Sequence, residues 1–384
     1  MNKRFLVVCN AYPSKDAIYR NGFIHRRVKA YQQKGLTVDV FYLHVNATEV
    51  EVYQYDGVNV TFGNELHYKQ FLLDNQHIYQ TFLIHFINPH MYYPIIETIK
   101  NPKFVIWIHG FEAEAWHRRW FNFLSSAAEL KQILDKAEDY YPTQLEFMNQ
   151  LYKETNYDIT FIHVSEWFKT HIADVDAKFS PLNYEIIPNI VDSNVFNYVK
   201  KERKGKLKVL SIRPFASYKY ANDQTADAIH LLSKKPFFND LEFHIYGEGK
   251  LYNTITDSFI KYDNVKLHNT FLEQKDIAKI HKQFDVFLCP TRLDSQGVSM
   301  CEAMSSGLVV VSSNVTAIPE FVTHNETGLL ADKESPASLA YQIERLYFND
   351  VLFNKISAQA AQSIRDIASE SVVIEKELKV ILND

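Results

Sequence analysis

Short stretches that are apolar at nearly every position recur along the first half of the chain: "RFLVVCN", "TVDVFYL", "TFLIHFIN", "KFVIWIHG" and "DITFIHVS". Runs of this length, rich in β-branched and aromatic side chains and apolar on both faces, predict parallel strands covered by helices on each side. After the first run, a turn stretch "AYPSKDAIYRNG" leads into a helical segment ending at Gly35. There Ile24, Val28 and Tyr31 fall on one face at helical spacing, and Gly35 stands where a C-cap belongs. The long polar and aromatic segment between His109 and Asp158 reads mostly as helix.

The same texture restarts beyond the charge run "VKKERKGKLK", residues 199–208, with "LKVLSIRPF", "LEFHIYGEG", "NVKLHNTF", "VFLCPTR" and "LVVVSSN" separated by periodic helical stretches. Strand and helix alternating in both halves predict an α/β chain of two doubly wound domains. A length of 384 residues agrees, being more than one hydrophobic core sustains. The boundaries are expected at 1–195 and 205–365, with the charge run as a solvated linker and 366–384 as a terminal helix packing back on the first domain.

Composition narrows the function classes. A hydrophobic content of 46% with 23% charged residues is that of an ordinary globular protein, and a net charge of −5 offers no basic surface for nucleic acid. The apolar run Phe5 to Cys9 is too short for a signal-peptide core, and no stretch approaches the ~20 apolar residues of a membrane span. A cytoplasmic protein is therefore expected. Cys9, Cys289 and Cys301 show no CxxC spacing and read as reduced, buried thiols. Fifteen histidines form no familiar ligand spacing, so no metal site is expected.

In doubly wound domains ligands sit at the carboxyl ends of the strands, and two such domains facing each other make a cleft. After the first strand, Asn21-Gly22 opens a helix, where bare backbone lets a phosphate approach. His109 and Gly110 follow "KFVIWI". In "SIRPFASYKYAND", Arg213 and Lys219 lie six residues apart across a loop that Pro214 keeps from continuing as strand, a pair of cations suited to a diphosphate. "YGEGKL" holds a fragment of a glycine-rich phosphate loop without the full pattern. In "PTRLDSQGVSMCEAMSSG", Gly297 precedes a helix whose first amides, at Val298 and Ser299, are free to meet an anion. Glu302 stands about one turn in, and Asp294 approaches from the loop. Carboxylates beside an anion site are good acceptors for sugar hydroxyls, so a nucleotide sugar fits both features.

These segments resemble glycosyltransferase family 4, retaining enzymes of the two-domain GT-B fold with an interdomain cleft. "DSQGVSMCEAMSSGLVVVSSNVTAIPEFVTHNETGLLAD" is similar to its long C-domain signature, "IIPNIVDSNVF" to its interdomain segment and "FIHVSEWFK" to its "VSE" segment. The resemblance implies an acceptor-binding N-terminal domain and a C-terminal domain for the nucleotide-sugar donor, UDP-linked by expectation. It gives Glu302 the ribose hydroxyls, and Asp294 with the backbone of Gln296 and Gly297 the donor sugar. The amides of Val298 and Ser299, with Arg213 and Lys219, would hold the diphosphate, which Gly22 approaches from the N-terminal domain. His109 would touch the sugar near the reacting carbon, and the base would sit around Phe271 and Leu272. No cofactor or metal is implied.

The chain departs from the pattern at Asp294, where Glu is more usual, at Ile190, where a glycine is usual, and in an Arg-to-Lys gap one residue longer. Its "RPFAS" and "QGVSMCEAM" text is similar to a subgroup of polysaccharide and cell-surface glycan enzymes, so a glycan or lipid-linked acceptor is expected. The segment "HGFEAEAWHRRWFNF", where Trp116, Trp120 and Phe121 interleave with His117, Arg118 and Arg119, reads as a helix packing its aromatics inward or as a peripheral membrane contact. Two other classes share the fold: another nucleotide-sugar enzyme, such as an epimerase or a phosphorylase, and a non-catalytic partner subunit.

Overall fold

Strand β1 (Arg4–Cys9) is buried at five of its six positions, as its unbroken apolar text requires of a strand covered on both faces. Leu6 and Val8 join one core with Met91, Ile95 and Phe147, while Phe5, Val7 and Cys9 are equally buried on the other face. The structure, a computed structural model, describes residues 4–15, 17, 20–120, 123–201, 205–257, 259 and 261–383, the side chain of Arg119 excepted.

The chain divides into two compact units. The first comprises Met1–Trp116, Leu134–Pro188 and Val373–Asp384. Its sheet is built from β1, β2 (Thr37–Leu43), β3 (Glu51–Tyr55), β4 (Val58–Gly63), β5 (Tyr79–His85), β6 (Lys103–Ile108), β7 (Asp158–His163) and β8 (Tyr184–Ile186), in the order β3-β4-β2-β1-β5-β6-β7-β8. All neighbours pair parallel except β3 with β4. That hairpin turns on Asp56-Gly57, both with positive φ (46° and 77°), the backbone of a two-residue turn matched to strand twist. Its alternating text "EVYQYDGVNVTFG" carries the signal, although no fully apolar run marks it.

The second unit comprises His117–Ile133 and Asn189–Val372. Its strands β9 (Leu207–Ile212), β10 (Leu241–Tyr246), β11 (Val265–His268), β12 (Val286–Leu288), β13 (Val309–Ser313) and β14 (Leu329–Ala331) form an all-parallel sheet, ordered β11-β10-β9-β12-β13-β14. The order reverses beside β9, so the loops after β9 and β12 flank the switch point where ligands of such sheets bind. The three cysteines are unpaired and buried, and burial pushes the Cys9 and Cys289 thiols up to about 12.

The charge run contains one residue unlike a solvated linker. Lys201 is buried and its Nζ donates to the carbonyl of His281 at 2.5 Å, capping the end of the helix Gln274–His281. Burial lowers its pKa to about 8. Residues 202–204 of the run lie outside the described residues.

Packing in the first unit centres on a carboxylate from the far end of the chain. The terminal helix Glu370–Leu382 brings Glu377, which is fully buried, to Arg27 and Tyr31 of the helix Gly22–Gln33 and to Trp107 of β6. Arg27 Nε donates to Oε1 at 2.9 Å, Trp107 Nε1 to Oε1 at 3.0 Å and Tyr31 OH to Oε2 at 2.5 Å. Lys103 Nζ donates to the last-turn carbonyls of Val380 and Ile381. A buried pair of this kind is costly to break one-sidedly, because the surviving charge stays desolvated. Glu377→Ala is expected to destabilise the protein by about 3–5 kcal/mol, read from the urea midpoint followed by tryptophan fluorescence. A loss below about 1 kcal/mol would assign the pair no more weight than a surface ion pair.

Candidate functional site

The second unit brings Arg213, Lys219, Asp294 and Ser299 together around the end of β9. Two glycines after β10 allow this. A Cβ on Gly247 (φ 150°) would lie 2.0 Å from the Arg213 carbonyl oxygen, and one on Gly249 (φ 145°) 2.3 Å from the Phe215 carbonyl carbon. Only glycines let the two loops lie this close, and the contact is sealed by Arg213 N donating to Tyr246 O and Phe215 N to Glu248 O. The "YGEG" fragment thus fixes the backbone around Arg213; its glycines are packing positions of the β9 loop.

So fixed, the Arg213 side chain is only 5% exposed yet under-bonded. Nη1 reaches Ser299 Oγ at 3.5 Å, and Nη2 stands 4.0 Å from Asp294 Oδ2, within ion-pair range but beyond a hydrogen bond. Nε and Nη2 are buried without a hydrogen-bond partner among the described residues. Tyr220 lies beneath both predicted cations, its ring centre 5.2 Å from the Arg213 guanidinium carbon and 4.9 Å from Lys219 Nζ.

The loop after β12 comes to the same place. Asp294 Oδ1 accepts the amides of Gln296 (3.2 Å) and Gly297 (2.7 Å), closing a turn that delivers Gly297 at φ 77°, ψ 55° as N-cap of the helix Val298–Ser305. No side chain caps that helix, so its first-turn amides stand at the positive end of the dipole. The amides of Gln296 and Gly297 are already taken by Asp294, and the Gln296 side chain, 1% exposed, bonds both N and O of Asn189 at 2.7 and 3.1 Å. Gln296 therefore clamps the "PN" segment to the loop, while Asp294 Oδ2 and the amides of Val298 and Ser299 remain as the groups the loop presents.

Glu302 lies on the same helix as Ser299, three residues on, and is 7% exposed. Gln274 Nε2 donates to its Oε1 at 3.1 Å, linking it to the helix Gln274–His281, which follows Phe271 and Leu272. Phe271 is 65% exposed and Leu272 partly buried. The base-side residues therefore share a neighbourhood with Glu302, without a closed pocket around Phe271.

Sequence reading missed Arg292, in the very stretch "PTRLDSQG". Its guanidinium bonds both oxygens of Asp223 at 2.8 and 2.7 Å, both of Glu334 at 2.8 and 2.9 Å, and the Tyr218 carbonyl at 2.6 Å. Its amide donates to Lys219 O, as does Thr291 Oγ1. The short turn Tyr218–Tyr220 that carries Lys219 is thereby tied to the end of β12. A basic residue in the loop that follows a buried strand was the available signal.

The first unit holds the remaining predicted residues. Gly22 opens the helix Gly22–Gln33 after Asn21, which adopts the left-handed region (φ 49°), and a Cβ built at Gly22 meets open space. Its neighbour Phe23 packs edge-on against His109, ring centres 5.1 Å apart. His109 is partly buried, and Glu112 accepts its amide at 2.5 Å and that of Gly110 at 3.0 Å. His109 is also bonded to His85, at the end of β5, which sequence reading passed over. Burial and the nearby Arg27 charge hold the His109 imidazolium form well below its usual range.

In the acceptor-side segment, Trp116–Arg119 form one helical turn, with Trp116, Arg118 and Trp120 partly buried and His117 exposed. Phe121 and the Arg119 side chain lie outside the described residues. Among the described residues no helix is long and apolar enough to cross a membrane.

Two doubly wound units of this topology have the GT-B fold of glycosyltransferases, and solved structures agree along the whole chain. Sucrose-phosphate synthase from Thermosynechococcus elongatus superimposes with a TM-score of 0.72 at 13% identity, covering 99% of this chain and 98% of that one. The Anabaena HepE protein in complex with UDP gives 0.71 at 14% identity, covering 100% of both. Residues 208–349, within the second unit, match the family described as "Glycosyl transferases group 1". The poly(ribitol-phosphate) alpha-N-acetylglucosaminyltransferase of Staphylococcus aureus (strain COL) is 30% identical over 161 residues, 41% of this chain and 32% of that protein. The chain spans about a third of the length of the curated relatives it matches.

The Arg292 clamp has a local consequence. In Arg292→Met the amides of residues 215–221 are expected to exchange with solvent roughly 10–100-fold faster, measured by hydrogen-exchange mass spectrometry, with β9 itself unchanged. Unchanged exchange in that loop would show that Thr291 and the backbone suffice to hold it.

Proposed function

We propose that the protein is a retaining glycosyltransferase that moves a sugar from a nucleotide-diphosphate sugar, UDP-linked, to a glycan or lipid-linked acceptor in polysaccharide or cell-surface glycan synthesis. The observation that carries this reading is the under-bonded Arg213 guanidinium beside the uncapped start of the helix Val298–Ser305. A buried cation with too few acceptors, next to the first amides of a helix and a second cation at Lys219, is suited to a diphosphate. The group 1 domain supports the class, and the UDP bound to the Anabaena protein supports the donor. The name of the S. aureus relative, a poly(ribitol-phosphate) alpha-N-acetylglucosaminyltransferase, supports a polymeric acceptor.

Chemistry at this site is electrostatic. As the bond between the sugar carbon and the diphosphate oxygen breaks, negative charge builds on the leaving group, where Arg213, Lys219 and the Val298 and Ser299 amides receive it. Asp294 Oδ2 accepts a donor-sugar hydroxyl and Glu302 the ribose hydroxyls. His109 contributes a hydrogen bond to the sugar. In the front-face route the acceptor oxygen bonds the sugar carbon on the side the diphosphate leaves, and the departing phosphate oxygen takes the acceptor's proton. The fixed cations would supply the charge without a metal. A membrane-associated acceptor would suit the aromatic and basic text around Trp116.

Thermal shift across nucleotide sugars tests the donor: the true donor raises Tm according to its affinity and concentration. Arg213→Met is expected to leave the unliganded Tm unchanged or higher, since removing an under-bonded buried cation relieves a desolvation cost. The same variant should lose about 100–1000-fold in kcat, as when one donor to a developing anion is removed. Glu302→Ala that kept full nucleotide affinity would overturn the ribose assignment.

Stereochemistry is a separate check. NMR of freshly formed product is expected to show the donor's anomeric configuration, and an inverted centre would refute the front-face route.

A further inference from the structure

We infer that His85 is a positioning residue that holds His109 with its proton on Nδ1, so that His109 offers an N–H donor to a ligand oxygen. His85 Nδ1 and His109 Nε2 are 2.9 Å apart. Their rings lie within 16° of one plane with centres 5.2 Å apart, the arrangement of rings joined edge to edge by an in-plane hydrogen bond. One of these two nitrogens carries the proton, and the surroundings of His85 decide which.

His85 is fully buried, and its other nitrogen, Nε2, has no hydrogen-bond partner among the described residues. A buried N–H without an acceptor is the rarer and costlier defect; a bare lone pair is tolerated more readily. The His85 proton therefore sits on Nδ1 and is donated to His109 Nε2. A neutral His109 whose Nε2 accepts must carry its own proton on Nδ1. Both rings are held neutral, by burial first, then for His85 by the other imidazole, and for both by the nearby Arg27 charge.

The surroundings hold the pair in this arrangement. The His85 ring lies over Trp107, centres 4.5 Å apart at 23°, and Trp107 is anchored through Glu377. Phe23 and Phe86 confine His109 with ring centres at 5.1 and 4.7 Å. Phe86 does so from a left-handed backbone, φ 63°, which a bulky residue adopts only where its surroundings impose it. Such strain beside a ring already fixed at its backbone by Glu112 is spent on orientation, which a packing role alone would not require. The ligand's identity as a donor sugar rests on the function proposed above; the tautomer does not.

The test uses full-length protein labelled with 15N-histidine and long-range 1H–15N spectra, the His109 signals being identified by their loss in His109→Gln. The expected wild-type pattern is the Nδ1–H tautomer. His85→Phe keeps a ring over Trp107 but removes the hydrogen-bond donor; His109 should then revert to Nε2–H, the form a free imidazole favours. It should also lose roughly 10–100-fold in kcat/KM. His85→Asn, whose amide can donate from near the Nδ1 position, should restore the Nδ1–H pattern and part of the rate. A wild-type His109 protonated on Nε2, or a tautomer unchanged in His85→Phe, overturns the inference. A tautomer that switches while turnover stays constant upholds it and removes His109 from the sugar site.

Discussion

A guanidinium withdrawn from water must find oxygen atoms, and around Arg213 the chain supplies fewer than the group can bind. β9 is an interior strand of the second sheet, and the residue just after it is held in place by two backbone bonds to the β10 loop. The glycines at 247 and 249 exist to permit those bonds. Tyr220 beneath the cation, Asp294 at 4.0 Å and Ser299 at 3.5 Å complete a surround that stabilises the charge without saturating it. Such a group costs free energy in the unliganded protein, and an arriving anion offsets that cost only when it binds here.

Comparison with the other buried arginine makes the point sharper. Arg27 is 1% exposed, as buried as Arg213, but it faces a carboxylate at 2.9 Å that is itself shared with Trp107 and Tyr31. That set holds together two helices and a strand. One arginine is matched within the chain, which makes it structural; the other is incompletely matched at a strand's carboxyl end, which is the ground on which it is proposed as a ligand site. Burial alone does not separate these two cases, whereas the inventory of acceptors does.

That distinction also explains what could be read from sequence. Fully apolar runs announce their strands, so β1, β2, β5, β6 and β7 and the inner strands of the second sheet were legible. The β3–β4 hairpin is marked only by alternation around Asp56-Gly57 and by no apolar run, so it did not stand out, and the three-residue edge strands β8 and β14 carry too little pattern. Within the site, Arg213, Asp294 and Glu302 were visible because each follows a strand or a glycine. Glu377 was not: 350 residues separate it from Arg27, and nothing local marks a buried carboxylate on an amphipathic helix. His85 hid inside an apolar run, where a histidine reads as one more buried ring.

The geometry changes the meaning of the acid at 294. A side chain that closes a ring onto the amides two and three residues ahead must be short, which is why Asp and Asn lead such turns. A glutamate there would carry its carboxylate one carbon further, away from the amides of Gln296 and Gly297 and toward whatever fills the loop. Asp294 therefore divides its two oxygens: Oδ1 shapes the turn that sets Gly297 in the left-handed region, and Oδ2 faces Arg213. With Asp, the loop carries its own template and the helix start stands ready before a ligand arrives. The departure from Glu is then first a matter of pre-organisation, and under the proposed function any effect on which sugar fits follows from the single oxygen left over.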